Sequence, residues 1–165
     1  MKYTWHCHSP LGDITLAGDG TSLTGLWFDG QRYYGAGLEA APVEKRLPVF
    51  AQTEKWLEIY FSGSKPDFTP PLVLTGTPFR TAVWELLLHI PYGHTMRYGE
   101  IAAALAEKDI ASAASARAVG GAVSHNPISL IVPCHRVTGA GGALTGYAGG
   151  IERKRRLLRM EMRSS

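Results

Sequence analysis

A proline-rich stretch at residues 64–78, "SKPDFTPPLVLTGTP", constrains the fold of this 165-residue chain more than any other feature. Proline fixes φ and lacks a backbone N–H donor, so four prolines in so short a stretch prevent a continuous helix or a central strand. Strand-like patterns precede the stretch and helix-like patterns follow it. The sequence therefore predicts two domains, residues 1–74 and residues 75–165, joined by this linker.

The first domain has the pattern of a small α/β unit. The segments "GDITLAG" and "SLTGLWFDG" alternate apolar with polar or small residues between glycines, which predicts a hairpin. Apolar residues at helical spacing in "PVFAQTEKWLEIYFSG" predict one helix that ends at Ser62 and Gly63. The stretch "GQRYYGAGLEAAP" between them is typical of a loop.

The second domain has the pattern of a helix-turn-helix unit with a wing. Thr77 can cap a helix over "FRTAVWELLLHI", which Pro91 ends. A second helix is predicted over "MRYGEIAAALAEKD", and a third begins after a cap at Ser112 or Ser115. An apolar strand, "ISLIV", a glycine-rich loop, "TGAGGALTGYAGG", and a basic helix from Ile151 complete the pattern.

Positive charge is concentrated in the second half of the chain. Residues 1–76 carry 6 Lys and Arg against 8 Asp and Glu, a net charge of −2, whereas residues 77–165 carry 11 against 6, a net charge of +5. The basic half is the better candidate for contact with a polyanion. Charge alone fits equally well with an ordinary protein that ends in a basic helix.

Neither a membrane span nor a secretion signal is expected. No apolar run approaches the roughly 20 residues of a membrane helix, and the N-terminus lacks a long apolar segment. The two cysteines, Cys7 and Cys134, lie far apart in the sequence. These features predict a protein of the reducing cytoplasm.

Cys134 lies in the stretch "IVPCHRVTG", directly before His135 and Arg136. Only a thiolate is a strong nucleophile, and a nearby base or positive charge must favour it. Adjacent side chains of an extended chain face opposite sides, so His135 can serve Cys134 only if the chain turns after Pro133 or if a water bridges them. A buried structural cysteine is the alternative, because cysteine packs as a small apolar residue.

The basic terminal helix carries a carboxylate in an unusual place. On a helical wheel of about 100° per residue, Glu161 falls between Leu157 and Leu158, at the centre of the apolar stripe. Lys154 falls near the stripe, but its long stem can carry the amine out to water. The other side carries four arginines: Arg155, Arg156, Arg159 and Arg163.

A core-facing carboxylate is costly unless it is paired, and a histidine is a suitable partner. We therefore predict that Glu161 orients His135 and that His135 takes the proton from Cys134. The alternative is that Glu161 lies at a frayed helix end and faces solvent.

The segment "SARAVGGAV" has an unusual composition for a helix that contacts DNA. Major-groove reading relies on polar side chains, whereas this surface carries small residues and a single arginine, Arg117. Small residues allow close approach to another surface, and one long side chain can enter the base stack and hold a nucleotide outside it. The alternative is tight helix–helix packing with Arg117 exposed.

Several motifs together resemble the C-terminal domain of the 6-O-alkylguanine-DNA alkyltransferases, also called methylated-DNA–protein-cysteine methyltransferases. In order, they are "RYGEIA", "ARAVGGA", "NP", "IVPCHRV" and "GYAGG…LL…E". They cover about residues 75–165, and "SPLG" near the N-terminus adds support. The resemblance implies a ribonuclease-H-like α/β domain followed by a winged helix-turn-helix domain that binds DNA and carries the catalytic residues.

The resemblance implies a role for each matching residue of the reaction. Cys134 resembles the alkyl acceptor, His135 the base that acts through a water, and Glu161 its orienting carboxylate. Asn126 matches the asparagine that ties the recognition helix to the active-site strand. Tyr98 matches the tyrosine that aids nucleotide flipping and assists the guanine leaving group.

Residues for DNA binding and for the guanine pocket follow in the same way. Arg117 matches the finger that takes the place of the flipped base. The helix surface around it is formed by Ala116, Ala118, Gly120 and Gly121. The implied pocket residues are Pro133, Val137, Tyr147, Ala148 and Gly149.

The implied activity is DNA repair by direct reversal of damage, in which one alkyl group passes irreversibly from 6-O-alkylguanine in double-stranded DNA to Cys134. The base is flipped out through the minor groove, and each molecule acts once. No metal and no cofactor are expected, and the protein is expected to be a cytoplasmic monomer that can bind DNA cooperatively. A cysteine hydrolase and a winged-helix DNA-binding protein without chemistry are the alternatives.

Two positions depart from the family pattern. Ala148 stands where some relatives have a serine that contacts the guanine oxygen, so backbone N–H groups are expected to make that contact. The stretch "AEKDIASAAS" is longer than the corresponding turn in several relatives. A third feature, "HCH" at residues 6–8, suggests zinc, but the two histidines would share one strand face and the cysteine the other, so no metal site is predicted there.

Overall fold

The computed structural model of the protein describes residues 2–38, 41–108 and 115–164. Its strands are β1 (Tyr3–Cys7), β2 (Ile14–Gly18), β3 (Leu23–Phe28), β4 (Val43–Glu44), β5 (Met96–Arg97) and β6 (Val137–Thr138). Its α-helices are α1 (Pro48–Phe61), α2 (Pro78–Leu87), α3 (Tyr98–Glu107), α4 (Ala116–Ser124) and α5 (Ile151–Ser164). Short 3₁₀ helices cover Cys134–Arg136 and Ala140–Gly142.

The first half of the chain folds into a sheet covered by one helix. The strand order is β3-β2-β1-β4, in which β1, β2 and β3 are antiparallel neighbours and β4 runs parallel to β1. The hairpin predicted from the glycine-bounded segments is confirmed as β2 and β3. Helix α1 buries Phe50, Trp56 and Tyr60, and it ends at Ser62 as predicted.

Both halves of the chain cover the outer edge of β3. Pro71 accepts a hydrogen bond from Leu23 at 2.8 Å, so the proline-rich linker lies along this edge. Further along, Leu26 donates to Pro127 at 2.9 Å and accepts from Ser129 at 3.0 Å. The strand edge is thereby closed by backbone pairing with the linker and with the segment that leads to Cys134.

The strand predicted over "ISLIV", residues 128–132, is wrong. The side chains of this run are buried, but the backbone turns, and Leu130 adopts φ of +70°. The amide of Asn126 accepts a hydrogen bond from Ile128 and donates one to Val132, which holds the run in a compact turn. An apolar run reports burial, and here the burial belongs to a turn rather than to a strand.

Helices α2 and α4 begin where their caps predict, whereas the helix predicted from Met96 begins at Tyr98, because Met96–Arg97 form β5. Thr77 caps α2 by accepting from Arg80 N–H at 3.2 Å, and Ser115 caps α4 by accepting from Ala118 N–H at 3.0 Å. Ser112 and most of the stretch "AEKDIASAAS" fall within residues 109–114, outside the described residues. Helices α2, α3 and α4 pack on one another, and β5 pairs with β6 in a separate two-stranded sheet. In the described ranges, no helix combines the length and the apolar character that a membrane crossing requires.

Trp84 fixes α4 to α2, because its buried indole N–H donates to the Ala122 carbonyl at 2.8 Å. We expect Trp84→Phe to lower the free energy of unfolding by about 2 kcal/mol, since it removes this hydrogen bond and part of the ring volume. Urea denaturation would measure the change. The exposed Leu88 offers a control, because Leu88→Ala should change stability by less than about 0.5 kcal/mol. Equal losses would show that the indole hydrogen bond does not hold α4.

Candidate active site

The chain turns at Cys134, as the prediction of a His135 base required. Pro133 precedes a single 3₁₀ turn over Cys134–Arg136, in which Arg136 N–H donates to the Pro133 carbonyl at 2.9 Å. Cys134 is 3% exposed and His135 is fully buried. The turn therefore directs consecutive polar side chains into the protein interior, which an extended strand does not do.

Glu161 is the centre of a buried hydrogen-bond network. Its Oε2 accepts from His135 Nε2 at 2.6 Å and from the Tyr60 hydroxyl at 2.5 Å. Its Oε1 accepts from Arg136 Nε at 2.8 Å and from Gly93 N–H at 3.2 Å. The carboxylate is completely buried, which confirms that Glu161 faces the core and excludes the solvent-facing alternative. The paired charge of Arg136 compensates the cost of burial.

The network fixes the protonation of its members. Burial raises the pKa of Glu161, but the hydrogen bonds from His135 and Arg136 and the charge of Arg136 outweigh it, so the net pKa lies far below the ordinary 4.5. Burial lowers the pKa of His135 below 6.5 despite the nearby carboxylate. A neutral His135 donates its Nε2 proton to Glu161 and keeps a lone pair on Nδ1, which has no hydrogen-bond partner among the described residues. That nitrogen can accept a proton.

Cys134 needs such a base. Burial raises the pKa of its thiol from 9.0 to about 11, and the Asn126 amide and the charge of Lys154 oppose this only in part. At neutral pH the resting group is therefore the thiol, not the thiolate. The nucleophile has to be formed by proton transfer at the moment of reaction.

The prediction that Lys154 extends to water is wrong. Lys154 is completely buried, and its Nζ donates to the carbonyls of Val137 at 2.5 Å and Thr145 at 2.9 Å. Burial lowers the pKa of its amine from 10.5 to about 8, and the negative charge that Cys134 carries when it is a thiolate opposes this shift. The wheel placed Lys154 correctly near the apolar stripe. The Lys154 side chain turns inward because the carbonyls of Val137 and Thr145 accept its hydrogen bonds. A helical pattern contains no information about these backbone partners.

The predicted pocket residues lie around the same turn. The Tyr147 ring meets His135 edge-to-face at 6.5 Å between centroids. A Cβ at Gly149 would come within 2.5 Å of the Tyr147 ring, so only glycine leaves room for this ring position. Val137 N–H donates to the Cys134 carbonyl, which closes the 3₁₀ turn. Tyr98 is the first residue of α3, and its hydroxyl accepts a hydrogen bond from Thr145 Oγ1 at 3.4 Å.

Helix α4 presents the smooth surface that its composition predicts. Arg117 is exposed near the start of the helix, while Val119 and Val123 face the core. The exposed side also carries Ala116, Ala118 and Gly121, and Gly120 is half-buried. The end of α4 is joined to the Cys134 turn by Asn126, which donates to the Val132 carbonyl at 2.8 Å. Cys134, His135, Glu161 and Asn126 thus form one buried cluster, with Arg117 on a separate exposed surface.

Sequence reasoning missed four contributors to this cluster. Tyr60 comes from α1 of the first domain, and its buried hydroxyl required a partner that the sequence did not identify. Gly93 contributes only a backbone N–H, which leaves no compositional signal. Arg136 follows His135 in the motif but received no role, and Lys154 was placed in water.

The "HCH" stretch does not form a metal site. His6 bonds Thr15 and His8 bonds Asp13, each through Nδ1. Throughout residues 2–38, 41–108 and 115–164, no three His, Cys, Asp or Glu side chains come together in a way that could hold a metal ion.

Comparison with known families assigns the chain. A model described as 6-O-methylguanine DNA methyltransferase, DNA binding domain, matches residues 78–163, and one described as the ribonuclease-like domain of the same proteins matches residues 1–74. The chain belongs to the 6-O-methylguanine DNA methyltransferase family. Two relatives named methylated-DNA–protein-cysteine methyltransferase are similar to this chain along most of its length. The protein of Mycobacterium tuberculosis is 48% identical over 153 residues, 93% of this chain and 88% of that protein. The protein of Methanosarcina acetivorans is 43% identical over 154 residues, 93% and 94% of the two chains.

A solved member of the family has the same fold. The crystal structure of Mycobacterium tuberculosis OGT in complex with DNA matches with a TM-score of 0.83 and 44% identity, over 99% of this chain and 94% of that chain. The predicted fold class, a ribonuclease-like α/β domain followed by a helical DNA-binding domain, is confirmed. Neither the hydrolase nor the regulator without chemistry gains support from these relatives.

The Glu161 network should dominate the acid stability of this methyltransferase-family protein. Glu161→Gln keeps the shape but leaves the Arg136 guanidinium buried without a counter-charge, so the free energy of unfolding should fall by about 3–5 kcal/mol at pH 7. A carboxyl with a folded pKa below its unfolded value stabilises the protein above the unfolded value, and this stabilisation is lost as the pH falls. The difference between wild type and variant should therefore shrink below about pH 4.5.

Urea denaturation at pH 7 and at pH 3 would measure both effects. The matched control is Glu152→Gln on the same helix, because Glu152 is exposed and forms a surface pair with Arg155. Its loss should not exceed about 0.5 kcal/mol. Similar losses from the two variants would mean that the Glu161 network contributes no more than a surface pair.

Proposed function

We propose that this member of the family repairs DNA by transferring one alkyl group from the 6-oxygen of an alkylated guanine to Cys134. The observation that carries the proposal is a buried arrangement of side chains next to Cys134. His135, the residue after Cys134, donates a hydrogen bond to Glu161, and Glu161 also pairs with Arg136. Such an arrangement supplies a base to a protonated thiol and keeps that base in one tautomer. The family assignment gives this chemistry its substrate class.

The first step is proton transfer. Nδ1 of neutral His135 takes the thiol proton through a bridging water, and the imidazolium is stabilised by its hydrogen bond to Glu161. Lys154 supports the thiolate, because its buried ammonium lowers the pKa of Cys134. Arg136 keeps the Glu161 carboxylate ionised, so that the proton remains on the imidazole.

The second step is an in-line displacement. The sulfur forms a bond to the alkyl carbon while the bond between that carbon and the guanine oxygen breaks. The electron pair of the broken bond leaves with guanine, and Tyr98 is proposed to donate a hydrogen bond to the developing anion. The product is a thioether without a good leaving group, so each molecule acts once and needs no diffusible cofactor.

Helix α4 is the proposed DNA-reading element. Its exposed small residues allow the backbone to approach the minor groove, and Arg117 is placed to fill the space of the flipped nucleotide. Cys134 is nearly enclosed, so entry of a base requires the wall around Tyr147 and Gly149 to open. Basic residues make this binding salt-dependent. We further propose that the protein is a cytoplasmic monomer that can bind DNA cooperatively. Its two domains are proposed to comprise residues 1–74 and residues 75–165.

Intact-protein mass spectrometry would test the transfer. After mixing with a duplex that contains one 6-O-methylguanine, the protein should gain one methylene unit on Cys134, with at most one methyl group per molecule. Cys134→Ser should gain nothing, whereas Cys7→Ser, which removes the other free cysteine, should react like the wild type. Repeated turnover, or tight binding to DNA without any mass change, would contradict the proposal.

The finger role of Arg117 predicts a loss that depends on the substrate. Arg117→Ala should slow transfer from duplex DNA by at least about tenfold, because flipping a base costs a few kcal/mol that the arginine offsets. Transfer from a free 6-O-alkylguanine base needs no flipping and should change by less than about twofold. Single-turnover kinetics would measure both, with the exposed Arg46→Ala of the first domain as control. Equal losses on the two substrates would remove the finger role.

A further inference from the structure

The segment Gln31–Leu38, which the sequence left as a loop without a role, is anchored to the first domain. The buried amide of Gln31 accepts from Phe28 N–H at 2.9 Å and donates to the Arg32 carbonyl at 3.2 Å. Tyr34 turns toward the sheet, where its hydroxyl lies 2.9 Å from Thr15 Oγ1. The start of the segment is therefore a rigid extension of β3.

Tyr33 is held in a backbone conformation that an ordinary residue rarely adopts. Its φ is +61°, in the left-handed region, where glycine is the usual residue. The neighbouring positive-φ positions of the segment, Gly35 and Gly37, are glycines. The left-handed conformation of a tyrosine costs free energy, so contacts of its side chain have to offset that cost.

The Tyr33 ring crosses to the second domain and stacks on His125. The ring centroids are 3.9 Å apart with an interplanar angle of 25°. His125 ends α4, because its Nδ1 donates to the Gly121 carbonyl at 2.7 Å and its N–H donates to Ala122. Asn126, the next residue, holds the turn that leads to Cys134. Tyr33 thus contacts the junction between the helix proposed to read DNA and the reactive turn.

The same side of the first domain also holds the pocket wall. The backbone N–H of Arg32 donates to the Ala148 carbonyl at 3.1 Å. One residue further, Gly149 accepts from the Arg153 guanidinium at 3.0 Å, and Arg153 also donates to the Leu11 carbonyl at 2.8 Å. Consecutive carbonyls of the wall are therefore held by Arg32 of the first domain and by Arg153 of α5, which also bonds the "SPLG" turn at Leu11.

We propose that Tyr33 is a positioning residue for the alkyl transfer. Its stack on His125 fixes the position of α4 relative to the pocket wall, which the adjacent Arg32 holds through Ala148. The inference rests on the proposed function. A flipped nucleotide reaches Cys134 only when the helix that displaces it and the wall that receives it are aligned, and small misplacements of reacting groups slow reactions strongly. A free base enters the pocket without help from α4, so its transfer does not depend on the stack.

Single-turnover kinetics of Tyr33→Ala would test this role. At saturating duplex DNA that contains 6-O-methylguanine, transfer should slow about two- to tenfold, the range expected for one aromatic pair. The DNA concentration for half-maximal rate and transfer from the free base should stay unchanged. Tyr33→Phe keeps the ring and should restore the duplex rate. His125→Ala should slow duplex transfer at least as much, because it also removes the hydrogen bond to Gly121, and the double variant should be no slower than His125→Ala.

Tyr34→Ala is the matched control, because it removes the neighbouring tyrosine, whose contacts are to Thr15 and Trp27 of the first domain. It should lower thermal stability without changing the ratio of duplex rate to free-base rate. A fall of that ratio in Tyr34→Ala as large as in Tyr33→Ala, additive losses in the double variant, or equal losses on both substrates would overturn the role of Tyr33. Wild-type protein that transfers no alkyl group to Cys134 would instead contradict the proposed function itself.

Discussion

The buried Glu161 carboxylate is the interaction on which the rest of the structure depends. Its donors come from α1 of the first domain, from the turn after α2, and from the residues that follow Cys134. One negative charge therefore joins both domains at the point where the reactive thiol lies. Burying it is favourable only because Arg136 and His135 are both in place, so the geometry of the site and the packing of the domains are maintained together.

The site combines a thiol of high pKa with a histidine base that is buried in the resting structure. Burial keeps Cys134 protonated and His135 neutral at rest, so neither group reacts readily with dissolved electrophiles. Reactivity arises only when a substrate brings its alkyl carbon to the sulfur and a path for the proton is completed. In the proposed reaction, which consumes the protein, such restraint conserves the reactive thiol of Cys134.

The sequence predicted most of the fold and the central residues of the site, for reasons that differ from residue to residue. Periodicity placed Glu161 on the buried face of α5, and the cost of burying a carboxylate then pointed to His135. The same periodicity could not direct Lys154, because its partners are backbone carbonyls. The apolar run at residues 128–132 was assigned to a strand, since burial alone does not distinguish a turn closed by Asn126. Tyr60 could not be predicted to reach Glu161, because the contact spans 101 positions in the chain.

The covering of β3 by both the linker and the segment after Pro127 has a consequence for the independence of the two domains. A first domain of residues 1–74 expressed alone would keep the pairing of Leu23 with the linker but would leave the backbone groups of Leu26 unpaired at the β3 edge, and such exposed edges recruit other chains into intermolecular sheets. The second domain covers part of the β3 edge and so protects the first domain from self-association. The first domain in turn supplies Tyr60 to the Glu161 network. Separating the domains would thus lower the solubility of the first domain and would remove Tyr60 from the site in the second domain. Both effects favour inheritance of the two domains as a single unit.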